Sequence, residues 1–536
     1  MDKTTPTVEI QASRDKHDNQ SLFIANAERA NAREHEMTLM QAFKIYRKAI
    51  FWSALMSTAL VMEGFDGKIM GSLYAQPAFQ KAYGKPHGSG SYQIPASWQA
   101  GLNQGSGIGG IFGLCSAGFI SDRFGFRKTV IAGLIMVIGC IFIQFFAKSL
   151  VVLLIGQILL GFPLGMFQAV TTVYAVEVTP TCLRAHMTTY VNACWVFGQL
   201  IEAGVLRGVL NMSAPWAYRL PFATQWIWPI PLILGIYFAP ESPWWLVRQN
   251  RPEEAKAALR RLTTRENESD LDLDQTISLI TLTIEHEREV ENSTTYLACF
   301  KGLNLRRTII VIGCYAAQLL DGNAIRANST YFFEQAGLAT AMSFNMTIVN
   351  YALALLGQIV AWFILSRVGR RKVYIWGLSW IMILFIIIGG LGVPLHHKSD
   401  SSLSWAVGAV LVISTFVHNC SIGPVAFSLV SELPSSLLRS KTVAIARLSY
   451  NILGIPIGII VPYMISPASW GWGAMAGFFW AGSCLLMLTF TFFYIPEPKN
   501  RTLTELDILF EKKISARKFA TTQVAFEEIL DRKSDV

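Results

Sequence analysis

About twelve apolar runs of roughly 18 residues or more divide this 536-residue chain. They lie near 51–76, 98–120, 128–146, 150–175, 187–210, 223–239, 308–333, 344–366, 372–394, 404–430, 442–465 and 471–495. A helix of that length crosses about 30 Å of hydrocarbon. In lipid each backbone N–H and C=O needs a partner inside the protein, and continuous apolar runs meet that demand as helices. Composition agrees. Charged residues make up 15% of the chain, against about 25% in soluble domains, and the mean hydropathy is +0.39. The expectation is an all-α membrane protein with 12 transmembrane helices.

The first 45 residues are polar and lack the apolar core of a cleavable signal. The first span is therefore expected to act as the insertion signal. Basic residues gather after even-numbered spans, at Arg123, Arg127 and Lys128, at Arg184, at Arg367, Arg370, Arg371 and Lys372, and at Arg439 and Lys441. The positive-inside rule then places both termini in the cytoplasm. The net charge of +9 needs no nucleic-acid partner. Most of the eight cysteines fall inside apolar runs without CxxC spacing, so they read as small buried apolar residues. Asn211-Met-Ser213 and Asn345-Met-Thr347 are candidate glycosylation acceptors on the outer side.

A long charged stretch after the sixth run splits the spans six and six. Within it, PEEAKAALRRL (252–262) reads as an amphipathic helix. The expected organisation is a tail over 1–45 without fixed structure, six helices over 46–240 and a linker with short helices over 241–307. Six more helices over 308–495 and a tail over 496–536 complete it. The halves share local sequence. SDRFGFRK (121–128) and LSRVGRRK (365–372) follow the second and eighth spans. Glu177 and Arg184 lie seven apart after the fourth span, as Glu432 and Arg439 do after the tenth. The first feature repeats after 244 residues and the second after 255. Repeated halves with a site between them suit alternating access. Asp122, the Glu/Arg pairs and the basic loops read as an inner-face charge network that latches the halves in one state and parts in the other.

Two carboxylates interrupt the first run, in LMSTALVMEGFDGKIMGSLY (55–74). Glu63 and Asp66 are three apart, hence on one helix face, and can line one cavity. A charge at the bilayer centre costs about 2.5–3.5 kcal/mol on the insertion scale, so such a group marks a functional site. The pair is a candidate for taking up a proton on one side and releasing it on the other, with Arg447 as a buried cation that can answer it.

These motifs resemble the sugar porter family of the major facilitator superfamily. Asp122-Arg123-x-Gly125-x-Arg127-Lys128 matches its inner-loop signature. Pro240-Glu241-Ser242-Pro243-Trp244-Trp245-Leu246 resembles the motif after the sixth span, and Pro496-Glu497-Pro498-Lys499-Asn500-Arg501-Thr502 the one after the twelfth. Within that family MEGFDGKIMGSLYAQPAFQKAYG (62–84), WAYRLPFATQWIWPIP (216–231) and STYFFEQAGL (329–338) look like the fungal α-glucoside (maltose) permeases. The resemblance implies proton-coupled import of an α-linked glucoside across the plasma membrane, by a carrier that works as a monomer in the lipid bilayer without a cofactor. It also points to substrate-binding residues. Gln199, Gln318, Asn323 and Asn451 match polar positions that bind hexose in sugar porters. Asn350 adds an amide, and Phe427, with Trp195, an aromatic wall. The resemblance further implies an altered charge set. Gly110 stands where a second-span Glu is expected, while Glu202, Asp321 and Arg326 stand where uncharged residues are usual. Asp321 and Arg326 are five apart, off a common helix face, and are expected to partner other helices.

Other readings are an uncoupled facilitator, a carrier of another sugar, polyol or specialised metabolite, and a transporter-like nutrient sensor. The chain has no HExxH, GxSxG or GxxxxGK[ST] stretch, so no enzyme motif and no metal or organic cofactor is implied. His186 and His418 read as isolated.

Overall fold

The computed structural model describes residues 37–522 apart from 88–90, 265–269, 294, 398–400, 436–437, 500 and 502, together with 25–26 and 29–30. Most of the 1–45 tail and the end of the 496–536 tail lie outside the described residues, as does the side chain of His186. Within the first tail Leu39–Ile45 is helical, opened by a reciprocal capping box between Thr38 and Gln41.

Among the described residues seven helices are long and apolar enough to cross a membrane unaided, and they correspond to spans three, four and eight to twelve. Of the other five, the first, sixth and seventh are broken into shorter helices. The first span runs Arg47–Ser57 and Ala59–Leu73, stepping at Thr58. The second is Ala96–Phe124 and the fifth Thr181–Val209. The sixth divides into Trp216–Thr224 and Pro229–Tyr237 around a short 3₁₀ turn. The seventh divides into Gly302–Leu320, Asn323–Ala327 and Ser329–Gln335. Its first break is at Gly322, whose φ of 84° is the left-handed region that glycine enters without a Cβ clash. A small antiparallel hairpin, Lys85–His87 with Ser91–Gln93, is the one β element among the described residues.

Glycine spacing sets the closest helix pairs of the N-terminal half. Gly105, Gly109 and Gly113 recur every four residues on the second span, and Gly161 and Gly165 face them from the fourth, Leu150–Val178. A Cβ at Gly109 would lie 1.9 Å from the Ile158 carbonyl oxygen, and one at Gly165 2.2 Å from that of Gly110. Small residues one turn apart let two backbones approach where lipid offers no hydrophobic drive to pack.

The repeated loop motifs acquire a common physical role. Glu241 accepts hydrogen bonds from the backbone N–H groups of Phe126 (2.9 Å) and Arg127 (3.3 Å), which open the third span, Phe126–Phe145. Glu497 does the same for Arg370 (2.8 Å) and Arg371 (3.1 Å), which open the ninth, Arg370–His397. A carboxylate at a helix N-terminus satisfies orphan donors and meets the positive end of the helix dipole. The preceding glycine leaves room for it. A Cβ at Gly125 would come within 2.6 Å of the Glu241 carboxylate, and one at Gly369 within 2.2 Å of that of Glu497.

The linker contains Pro243–Arg248, the expected amphipathic helix Pro252–Leu262 and Asp270–Ser293. Pro252 opens the middle helix, Glu253 and Glu254 follow in its first turn and Arg260 and Arg261 close it, as its dipole favours. Ala255, Ala258, Leu259 and Leu262 are buried on one face in a cluster with Leu273, Ile277 and Val178. The linker thus packs on the N-terminal half.

Among the described residues four hydrogen bonds join the halves on the face away from the linker. They are Ser72 with Thr330 (3.1 Å), Gln99 to Tyr331 (3.3 Å), Asn103 to Asn328 (3.2 Å) and Arg207 to Asn345 (2.7 Å). One apolar cluster runs through the same region, from Leu73, Tyr74 and Phe79 to Tyr331, Phe332 and Phe333. This far face is closed. The Asn345 sequon is corrected here. Asn345 lies inside the eighth span, Thr340–Arg367, bonded to Arg207, and Thr347 is fully buried, so neither fits a glycosylation acceptor. Asn211 is exposed. Of the described cysteines all are buried except Cys115.

Candidate functional site

A cavity of about 340 Å³ lies between the halves, at the small end of the roughly 300–1,000 Å³ typical of ligand pockets. Gln199, Gln318, Asn323, Asn350, Asn451 and Phe427 all line it, drawn from spans five, seven, eight, ten and eleven. Their states differ. Gln318 donates to the Gly423 carbonyl at 2.7 Å, whereas Asn350 is fully buried with neither end of its amide bonded. Phe427 meets Tyr315 edge to face at 5.8 Å, Tyr315 meets Tyr450 at 5.7 Å, and the Arg447 guanidinium lies 5.0 Å above the Tyr450 ring. Apolar faces with convergent amides are what a sugar's C–H faces and hydroxyls require.

The two first-span carboxylates part company. Glu63 lines the cavity and accepts a short hydrogen bond from Gln168 Nε2. Gln168 Oε1 in turn accepts from Arg447 Nη2 at 3.1 Å. Arg447 therefore reaches Glu63 through an amide, in a relay that crosses from one half to the other. The second oxygen of Glu63 is buried without a partner. Asp66 does not line the cavity, contrary to the expectation from spacing. It is 2% exposed and accepts from Gln157 Nε2 at 3.4 Å. The close glycine packing brings the fourth span up behind it. A second cavity of about 210 Å³ adjoins the first and shares Glu63, Gln168 and Asn451 with it. Gly110 lines this space, where a Cβ would meet nothing closer than 3.7 Å.

Asp321 and Arg326 depart in part from expectation, because they partner each other while Asp321 also reaches His418 on the tenth span. The break at Gly322 turns the chain so that Arg326 Nη2 donates to Asp321 Oδ1 at 2.5 Å and Nη1 to the Asp321 carbonyl at 3.0 Å. His418 is not isolated either. Its Nδ1 lies 2.5 Å from Asp321 Oδ2, and the carboxylate, which only accepts, puts the proton on that nitrogen. Glu202 is fully buried, near Ser72 and Lys68. Sequence reasoning missed Lys68, Gln168, Asn192, Tyr351 and Gln358 as lining residues. Lys68 was legible as a third charge within MEGFDGK; the others carry no signal apart from being polar in an apolar run.

At the linker face the charge network pairs within each half and, in the N-terminal one, with the linker packed on it. Glu177 takes the Ser242 hydroxyl and Arg248. Glu432 takes Arg370 at 3.2 Å and the Ser428 hydroxyl at 2.7 Å. Arg127 Nη1 donates to the Ala239 carbonyl, Arg371 Nη2 to that of Phe492 and Arg184 Nε to that of Thr179. Asp122 accepts through its backbone carbonyl from Trp245 and Gln249, both at 2.9 Å. Arg123 lies over the Phe124 ring, while Arg367 and Arg439 are exposed. In this state the seven-residue Glu/Arg spacing makes no direct pair.

Comparison with known proteins agrees with this geometry. The family described as "Sugar (and other) transporter" matches residues 52–510. The general alpha-glucoside permease of Saccharomyces cerevisiae is 42% identical over 503 residues, covering 93% of this chain and 81% of that protein. The maltose permease MAL31 of the same yeast is 42% identical over 506 residues, 94% and 82% of the two chains. The xylose transporter XylE of E. coli, in a partially occluded inward-open conformation, superposes with a TM-score of 0.68 at 19% identity, over 84% of this chain and 99% of that one. The twelve-helix fold, the cavity between its halves and these similarities make the chain a multi-pass membrane transporter, not an enzyme, that belongs to the sugar porter family of the major facilitator superfamily.

Proposed function

We propose that this protein imports an α-glucoside such as maltose across the plasma membrane by alternating access, coupled to protons through Glu63, with both termini cytoplasmic. The amide- and aromatic-lined cavity between the halves supports the sugar reading, as do relatives named as alpha-glucoside and maltose permeases. For coupling, the relay from Glu63 through Gln168 to Arg447 is the supporting observation. A proton on Glu63 removes the negative charge that Arg447 answers from the other half. That loosens the tie and lets the halves reorient with their cargo. Glu63, rather than Asp66, is the group with access to both cavities.

The test is uptake in a carrier-deficient cell, comparing maltose, trehalose, sucrose and glucose, with external pH recorded. Maltose-evoked alkalinisation and accumulation are expected. Glu63→Gln is expected to abolish accumulation while leaving counterflow. Accumulation that survives Glu63→Gln would remove Glu63 from the coupling. One observation favours an uncoupled facilitator instead, namely that Gly110 brings no acid to the second cavity. Counterflow without accumulation in the unmodified carrier would establish that reading.

A further inference from the structure

We propose that the central cavity is built for a glycoside bearing a carboxylate, held between Lys68 of the N-terminal half and Arg326 of the C-terminal half. This rests on the sugar-transport reading above and names the charge of its substrate.

Both side chains line the cavity, Lys68 from the first span and Arg326 from the seventh. Their charges interact across it. Two cations on opposite halves repel as the halves approach. Lys68 forms no hydrogen bond or ion pair with a described residue; Glu202, which stands outside the cavity, attracts it more than Arg326 repels it, though from beyond ion-pair distance. Arg326 is 3% exposed, and its buried Nε has no partner although Nη1 and Nη2 hold Asp321. The unbonded amide of Asn350 lines the same cavity. A buried N–H without an acceptor is a cost that a ligand oxygen removes.

The acids that answer these cations, Glu202 for Lys68 and Asp321 for Arg326, stand outside the cavity lining where the ligand sits. Asp321 has both oxygens engaged, by Arg326 and His418. Glu202 and Asp66 do not line the cavity. Facing the ligand are Lys68, Arg326 and Arg447 against Glu63 alone. A neutral sugar leaves the Lys68–Arg326 repulsion in place. A carboxylate between them cancels it and ties one half to the other, so occupancy favours closure. One free guanidinium N–H and one ammonium match the two oxygens of a carboxylate. A phosphate brings about twice the charge and a third oxygen, more than one ammonium and one guanidinium N–H match.

Maltobionate, which is maltose with its reducing unit oxidised to the acid, supplies the probe. Binding of maltobionate and of maltose to the purified full-length carrier is measured by calorimetry at constant pH. The acid is expected to bind about 10- to 100-fold tighter, the range of a charge-assisted hydrogen bond. In Lys68→Met the acid-over-neutral ratio is expected to fall at least tenfold. Arg326→Lys, which keeps the charge but loses the Nε–H and the two-point hold on Asp321, is expected to lower the ratio less than Lys68→Met does. Melting curves identify any variant that fails to fold, and Lys68→Gln then replaces it. Equal affinities in the unmodified carrier would overturn the proposal and leave the α-glucoside reading standing. An acid preference untouched by either Lys68 variant would also overturn it, since the carboxylate then lies elsewhere. Binding of neither sugar would overturn both readings.

Discussion

Asp321 shows what a single residue's neighbours decide. Five positions from Arg326, it cannot share a helix face with it, and in an unbroken helix the two would diverge. Gly322 breaks the helix, and the pair closes at 2.5 Å with His418 on the other oxygen. Asp321 is at 0% exposure and Arg326 at 3%, where removing one partner strands the other charge. Asp321→Asn is therefore expected to destabilise the carrier by about 3–5 kcal/mol. The double variant Asp321→Asn, Arg326→Gln is expected to recover most of that loss, because no lone charge remains. Melting of the detergent-purified proteins measures both. The sequence displays the charges and even the glycine, but not that the glycine turns left-handed or that His418, 97 residues on, arrives at the same carboxylate.

Elements are governed by their ends and by their small residues. Glu241 and Glu497 each cap a helix that begins more than a hundred residues away in the chain. Glu497→Ala is expected to cost about 0.5–2 kcal/mol, as loss of an N-terminal acceptor does. Glu497→Gln is expected to retain part of the stability, since its amide oxygen still accepts while the charge is gone. Thermal melts of the two variants against the unmodified protein distinguish hydrogen bonding from charge. The R-x-G-x-R-K repeats were visible as sequence, and so was the amphipathic helix over 252–262, which the structure reproduces with the same bounds. The capping was not visible, because a carboxylate's reach to a distant helix start has no local signature. The first, sixth and seventh spans, among the least apolar in sequence, step or break, whereas the cavity's polar groups come from weakly and strongly apolar spans alike.

For the whole molecule, the asymmetry of contacts between the halves is what defines its state. Ser72–Thr330, Gln99–Tyr331, Asn103–Asn328 and Arg207–Asn345 fasten the far face, while at the linker face Glu177 pairs with the linker packed on its half and Glu432 pairs within its own. Alternating access requires the far-face bonds to part. A disulfide between cysteines placed at 72 and 330 is therefore expected to reduce uptake to background, with recovery on adding reductant. Uptake that continues through a fully formed cross-link would show that this face need not open.

By itself the sequence determined that this chain crosses a membrane about twelve times, in two related halves, with acids and amides where lipid would reject them. Those conclusions rest on the energetic cost of polar groups in hydrocarbon and on local spacing, which any stretch of chain expresses alone. Tertiary structure decided which of those groups meet. It sent Glu63 to the cavity and Asp66 behind it, although helix spacing treats them alike, because glycines on spans two and four draw the fourth span up to Asp66. It joined Asp321 to Arg326 and His418, and it set Lys68 across from Arg326. Such pairings depend on distances between residues far apart in the chain, which only the packed helices fix.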